Sequence, residues 1–293
     1  MSYSPLTPGK HSTTLNNLTI HYTVLADSPS LPPLVVHPAP WGVGAELYIN
    51  AFSRLSSKYT VIVPSPRGND DSQRPSSLQE MSSRHIVDDL EALRAYLGLE
   101  KIRVMGHSSG GTIALGYAIA YPSRVEKLVA SNSDLLGYAR KDRSFFEEAF
   151  KLFFENLPTD DAEFKQFILK ILPMYFALPD LGGPAEFEKQ WTGEPSLWAY
   201  GSYYAADSAS APGEGAPGDG NAKWNQAAEL HKVTAPTLVL TGRQDRAAAP
   251  EVSAAIASGV QRSKLAILEP CGHMPWVEQP EEFWSVVEGF LEE

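Results

Sequence analysis

The chain has 293 residues, 43% of them hydrophobic, with 24 basic against 35 acidic side chains and a net charge of −11. That share supports a buried core, and the length fits one large α/β unit with an insertion as well as two domains. An acidic chain without a Lys/Arg cluster argues against nucleic acid or an anionic membrane as partner. The single cysteine, Cys271, has no partner for an intramolecular disulfide and reads as a small buried residue, which suits a reducing compartment. The start at Met1 to Pro5 is polar and lacks a signal-like apolar stretch, and no apolar run is long enough to span a bilayer. A soluble cytoplasmic protein is expected, monomeric or homodimeric, acting on a small molecule.

Short apolar runs alternate with helical patterns along the chain. Leu18–Leu25 reads as a strand at the end of an antiparallel hairpin. Leu34–His37 and Thr60–Val63 read as buried strands, the second stopped by Pro64. Ile86, Leu90, Leu93 and Leu97 fall at helical spacing, which predicts a helix over 83–97 ending near Gly98. Asp88 and Asp89 are expected on its solvated face, and Arg67 to Asp71 as a turn with local charge pairing. Ile102–Met105 is the next strand. Thr112–Tyr121 is apolar on nearly all sides, as a buried helix must be, and Pro122 ends it. Lys127–Ala130 follows as a strand.

The alternation then breaks. From 135 to 230 the chain is helical in pattern and rich in Phe, Tyr and Trp, and Ser208–Gly220 reads as a mobile loop. Strands resume at Thr237–Leu240 and Leu265–Leu268, and Val286, Val287, Phe290 and Leu291 mark a closing helix. Continuous apolar strands between helices predict an α/β fold with a mostly parallel central sheet of about eight strands, covered on both faces. Residues 1–134 and 231–293 would form the core and 135–230 a helical cap.

One stretch carries chemistry. Gly106-His107-Ser108-Ser109-Gly110 lies between the strand Ile102–Met105 and the helix-like Gly111–Leu115. That is the context of a nucleophile elbow, a sharp strand-to-helix turn that thrusts a serine outward. Gly106 and Gly110 suit a bend where side chains would collide. A serine hydroxyl is a poor nucleophile until a base takes its proton, and the base needs an orienting carboxylate. In this arrangement the chain order is Ser, acid, His. Of the two downstream histidines, His273 follows the last strand and is the expected base, while His231 lies before a strand begins. Asp245, five residues past Leu240, is the favoured acid, with Asp134 as its rival. The developing oxyanion needs N–H donors, one from Ser109 and one from the loop after Val36. Pro38 and Pro40 have no N–H, which leaves Ala39 between them. Each such donor contributes on the order of 3 kcal/mol. No metal site, phosphate loop or dinucleotide fingerprint is visible, so no cofactor is expected.

With these residues in hand, the chain resembles the α/β-hydrolase fold superfamily over nearly its whole length. Within that superfamily it is most similar to prolyl aminopeptidase-like (proline iminopeptidase-like) serine hydrolases. Pro66-Arg67-Gly68, the run Asp88 to Arg94, the elbow with Gly111, Tyr121-Pro122-Ser123-Arg124-Val125, Asp245 and Gly272-His273 carry the likeness. The resemblance implies a Ser108–His273–Asp245 triad working through an acyl-enzyme. Two departures stand out. The group's oxyanion loop reads His-Gly-Gly-Pro-Gly, and here Pro38, Ala39 and Trp41 replace its three glycines. His107 and Ser109 stand where peptidases of the group carry Gly and Trp. Trp41 and His107 are therefore expected to shape the substrate site. Peptidases of this kind bind a free amine with cap carboxylates, for which Glu147, Glu148, Glu155, Glu186, Glu188 and Glu194 are candidates. The reading is a serine hydrolase cleaving an ester, lactone, thioester or amide of a hydrophobic small molecule. Its alternatives are removal of N-terminal proline from small peptides, and a non-hydrolytic ligand-binding or cyclisation protein on the same fold.

Overall fold

Strand β1 (Gly9–Leu15) and strand β2 (Leu18–Leu25) form the hairpin that the sequence reading half anticipated. Asn16 and Asn17 join them with φ of 48° and 66°. Asn tolerates the left-handed conformation that a tight two-residue hairpin turn needs. Burial alternates along β2, as expected of a strand with one covered face. By contrast β3 (Pro33–His37), β4 (Thr60–Pro64), β5 (Ile102–His107), β6 (Val125–Ser131) and β7 (Thr237–Gly242) are buried over most or all of their length. β8 (Ser263–Leu268) is the half-exposed edge, with Leu265 turned outward at 41% exposure. The expectation that both faces of this strand are covered is thus corrected. In this computed structural model, which describes residues 4–26, 28, 30–208 and 223–293, the eight strands lie in the order β1-β2-β4-β3-β5-β6-β7-β8. β1, β2 and β4 pair antiparallel, and β4 through β8 pair parallel.

The helices are α1 (Glu46–Phe52), α2 (Ser83–Tyr96), α3 (Ser109–Ala120), α4 (Ser144–Asn156), α5 (Asp161–Ile171), α6 (Gly183–Gln190), α7 (Leu197–Asp207), α8 (Pro250–Gly259), α9 (Pro275–Glu278) and α10 (Pro280–Glu292). Apolar side chains of α2, α3 and α8 cover one face of the sheet, and those of α1 and α10 the other. Helices α4 to α7 all fall between β6 and β7, where no strand occurs among the described residues. Of the expected loop Ser208–Gly220, residues 209–220 lie outside the described residues.

Two sequence expectations are overturned on α2. Asp89 is buried rather than solvated, and Arg67 grips it with Nε and Nη2, each 2.6 Å from a carboxylate oxygen. Arg67 therefore pairs across the fold, not within its own turn. A two-pronged guanidinium contact satisfies both charges away from water, and removing one partner of such a pair costs about 3–5 kcal/mol. Asn16 adds a bond to Asp89 Oδ1, tying the β1–β2 turn to α2. The helical insertion is fastened to the loop after β3: Trp191 Nε1 donates to Val43 O and the Ser196 N–H donates to Gly42 O, both at 2.8 Å.

Candidate active site

The parallel register aligns the strand ends. His37 lies beside Gly106, His107 beside Ser131, Ser131 beside Leu240, and Gly242 beside Leu268. The segments leaving β3, β5, β6, β7 and β8 therefore emerge along one rim, carrying Ala39, Ser108, Asn132, Asp245 and His273. Ligands of open α/β sheets bind outside these carboxyl ends.

Ser108 has φ of 57° and ψ of −130°, a strained conformation for a side chain other than glycine. Its N–H donates to Ser131 O at 3.0 Å, while the residue itself stays partly exposed. The bend closes because the flanking glycines lack side chains. A Cβ on Gly106 would sit 2.1 Å from Gly110 O, and one on Gly110 would sit 2.3 Å from His37 O. Helix α3 starts at once with Ser109, whose N–H lies in the first turn, where no intrahelical acceptor exists. Ala39 is buried, and its N–H neighbours the Tyr48 hydroxyl.

His273 Nδ1 lies 2.8 Å from Asp245 Oδ2. The Asp245 carboxylate is saturated: Oδ2 also accepts from Asn132 Nδ2 at 2.8 Å, and Oδ1 accepts the N–H groups of Ala247 and Ala248, each at 2.8 Å. Burial alone would raise this carboxyl, but His273 and the donors around it outweigh burial and hold it below the usual carboxylate range. With Asp245 on Nδ1, the Nε2 of His273 is the nitrogen free to meet a serine proton. Asp134, the rival acid, is bonded elsewhere: Arg140 Nη2 lies 2.8 Å from its Oδ1, which also accepts the Leu135 N–H. His231 is exposed near the end of a 3₁₀ turn.

The backbone of His273 is held on both sides. Its N–H donates to Tyr175 O, and its carbonyl accepts from His107 Nε2, each at 2.7 Å. His107 therefore carries its proton on Nε2. Burial first, then His273, lowers its pKa to about 3, so the ring is neutral. The sequence suggests His107 for substrate contact; here it is buried next to Ser108, with Tyr48 Oη 3.5 Å from its Nδ1. Glu278 adds a third brace. Its Oε1 accepts the N–H groups of Gly272 (2.9 Å) and Met274 (3.3 Å), and its Oε2 accepts that of Ala177 (2.8 Å). One carboxylate thus joins the histidine loop to the helical insertion. Asn132, Tyr175 and Glu278 have no motif in the sequence; only the αL-tolerant asparagine at φ 47°, just after a strand, offered a hint.

Beside His273 a narrow cavity of about 40 Å³, partly open to solvent, is walled by Trp41 and by aromatic and aliphatic side chains of the insertion. Tyr175 links the two, lining the cavity with its ring centroid 5.3 Å from that of His273. No charged side chain lines it among the described residues. All six candidate glutamates, Glu147, Glu148, Glu155, Glu186, Glu188 and Glu194, are solvent-exposed. Four of them face cations: Glu148 meets Arg246, Glu155 meets Lys151, Glu186 meets Lys189 and Glu194 meets Lys165. Cys271 is fully buried, and burial pushes its thiol up. Among the described residues no group of three or more His, Cys, Asp or Glu could hold a metal ion, and no helix is long and apolar enough to cross a membrane.

Comparison with known proteins supplies the family. The sequence pattern of the alpha/beta hydrolase fold matches residues 32–280. The chain belongs to the α/β-hydrolase fold family. It is 26% identical over 271 residues to a proline iminopeptidase of Heyndrickxia coagulans, covering 89% of this chain and 90% of that one. Among solved structures, the enol-lactonase of Burkholderia xenovorans LB400 superposes with a TM-score of 0.73 at 18% identity, covering 97% of this chain and all of that one. The proline iminopeptidase of Mycobacterium smegmatis does so with a TM-score of 0.69 at 21% identity, covering 97% and 98%. As a member of this hydrolase family the chain is a hydrolase.

Proposed function

We propose that the chain is a serine hydrolase that cleaves an ester, lactone, thioester or amide of an uncharged hydrophobic small molecule. The His273–Asp245 pair beside the elbow that presents Ser108 carries this reading. Ser108 Oγ attacks the substrate carbonyl while His273 Nε2 takes its proton, and Asp245 orients the ring and stabilises the imidazolium. The N–H groups of Ser109 and Ala39 receive the oxyanion. His273 then protonates the leaving group and an acyl-Ser108 ester remains. Water, deprotonated by the same nitrogen, attacks that ester and releases the acid. Residues 135–230 serve as the cap over the acyl pocket, and Trp41 forms part of its wall.

The second reading, removal of N-terminal proline, is favoured by the names of the full-length relatives. It needs a buried carboxylate for the substrate ammonium, since burying an unpaired cation is costly. The exposed cap glutamates and the charge-free cavity argue against it. Assaying p-nitrophenyl esters of phenylacetate and butyrate beside proline p-nitroanilide tests the choice. Ester turnover exceeding that of the anilide by about 100-fold in kcat/KM, equivalent to about 2.7 kcal/mol, is expected. Efficient anilide turnover would establish the peptidase instead, and no turnover of either would favour a binding or cyclisation protein.

A further inference from the structure

Three phenols, Tyr175, Tyr200 and Tyr204, line a cavity that adjoins His273, and none of their hydroxyls has a hydrogen-bond partner among the described residues. Two of the phenols are in ring contact and the third, Tyr175, lies against His273. The Tyr200 and Tyr204 ring centroids are 5.2 Å apart at 72°, and Trp41 meets Tyr200 edge-on at 6.0 Å. This differs from the buried polar groups of the site. Asp245, Asn132, Glu278 and His107 all have their bonds made. Tyr203, one residue before Tyr204 but outside the cavity wall, is also bonded, to the Ser83 hydroxyl at 3.0 Å. Tyr175, Tyr200 and Tyr204 are half-buried, and hydroxyls at a cavity wall with no partner in the protein are donors open to what enters it.

We propose that Tyr175, Tyr200 and Tyr204 form a recognition site for a neutral oxygen acceptor, such as a carbonyl, carried on a flat apolar body. This deepens the proposed function and rests on it only in taking the cavity as the seat of the substrate. The charge state follows from the walls. A phenol is protonated at neutral pH, and partial removal from water raises all three of these further, so each offers an O–H donor. Among the described residues no cation lines the cavity to compensate a carboxylate, and no anion to compensate an ammonium. The aromatic walls favour a flat body through offset and edge contacts. The selected substrate is therefore an oxygenated aromatic or similarly planar compound with a keto or acyl oxygen besides the bond that is cut.

Binding of ligands with no cleavable bond separates this proposal from the catalytic one. Acetophenone and α-methylstyrene share one planar skeleton, with a methylene replacing the carbonyl oxygen in the second. Isothermal titration of both into the wild type, Tyr175→Phe, Tyr200→Phe and Tyr204→Phe isolates the acceptor. At least one variant is expected to weaken acetophenone by about 2- to 12-fold, the range of one neutral hydrogen bond, while α-methylstyrene binds within about twofold of wild type. The α-methylstyrene titration also reports whether each variant keeps its cavity. Equal loss for both ligands, or none for acetophenone in any variant, would overturn the proposal. So would tighter binding of phenethylamine or phenylacetate than of acetophenone. Failure here leaves the chemistry of Ser108 untouched, and failure of Ser108 to react leaves this binding result standing.

Discussion

Asp245→Asn is expected to lower kcat by roughly 10⁴, as loss of the orienting carboxylate does in other triads. The reason lies in the four bonds that the carboxylate accepts. If the amide oxygen of an asparagine keeps the Ala247 and Ala248 N–H groups, its NH₂ faces His273 Nδ1 and the Asn132 amide, both of which donate to the native carboxylate. His273 then relieves the clash by shifting its proton to Nε2. That places hydrogen on the atom that must accept the serine proton. KM should change far less than kcat, because the substituted group touches no substrate. Asp134→Asn should leave kcat near the wild-type value, since Asp134 bonds Arg140 and Leu135 instead. Steady-state kinetics on an aryl ester reads both variants. Full activity in Asp245→Asn with a dead Asp134→Asn would reverse the assignment.

Gly106→Ala is expected to destroy the elbow. The added Cβ would meet Gly110 O at 2.1 Å, Gly110 C at 2.3 Å and Gly111 N at 2.6 Å. All three are backbone atoms, so no side chain can swing aside. Overfilling an ordinary core costs about 1–3 kcal/mol. Here β5 must separate from the first turn of α3, and a cost above about 3 kcal/mol follows. For a chain of this size that corresponds to a fall in Tm of at least about 5 °C. Thermal unfolding followed by circular dichroism measures it, and the surviving folded fraction should have lost its ester activity. A variant with wild-type Tm and activity would show that the bend does not depend on contact between these backbones.

The parts of the fold that were legible in the sequence are those set by local pattern. The apolar runs of β3 to β7 and the strand–turn–helix around Ser108 depend on neighbours within about ten residues. β1 escaped because Gly9–Leu15 is polar and its burial is uneven; only the Asn16-Asn17 turn signals it. Asp89 was misread because a charged pair on a helix reads as solvated until the fold brings Arg67 against it from 22 residues away. The same limit applies at the site. Strand ends and chain order single out Ser108, His273 and Asp245 as candidates, whereas the bonds that hold Asp245 and the His273 loop come from Asn132, Tyr175, His107 and Glu278, contributed by separate segments. His107 shows the cost of reasoning from position alone. Its place next to the nucleophile suggested contact with substrate, but its ring faces the carbonyl of His273.

Acyl transfer by this chain requires an activated hydroxyl at position 108. Reaction with a fluorophosphonate, followed by peptide mapping in a mass spectrometer, measures it directly in the wild type, Ser108→Ala and His273→Gln. The expected result is a single adduct on Ser108 in the wild type, none in Ser108→Ala, and labelling slowed by at least about 10³-fold in His273→Gln, since a serine without its base is a weak nucleophile. An adduct on another residue, or equal labelling of Ser108 with and without the imidazole, would contradict it.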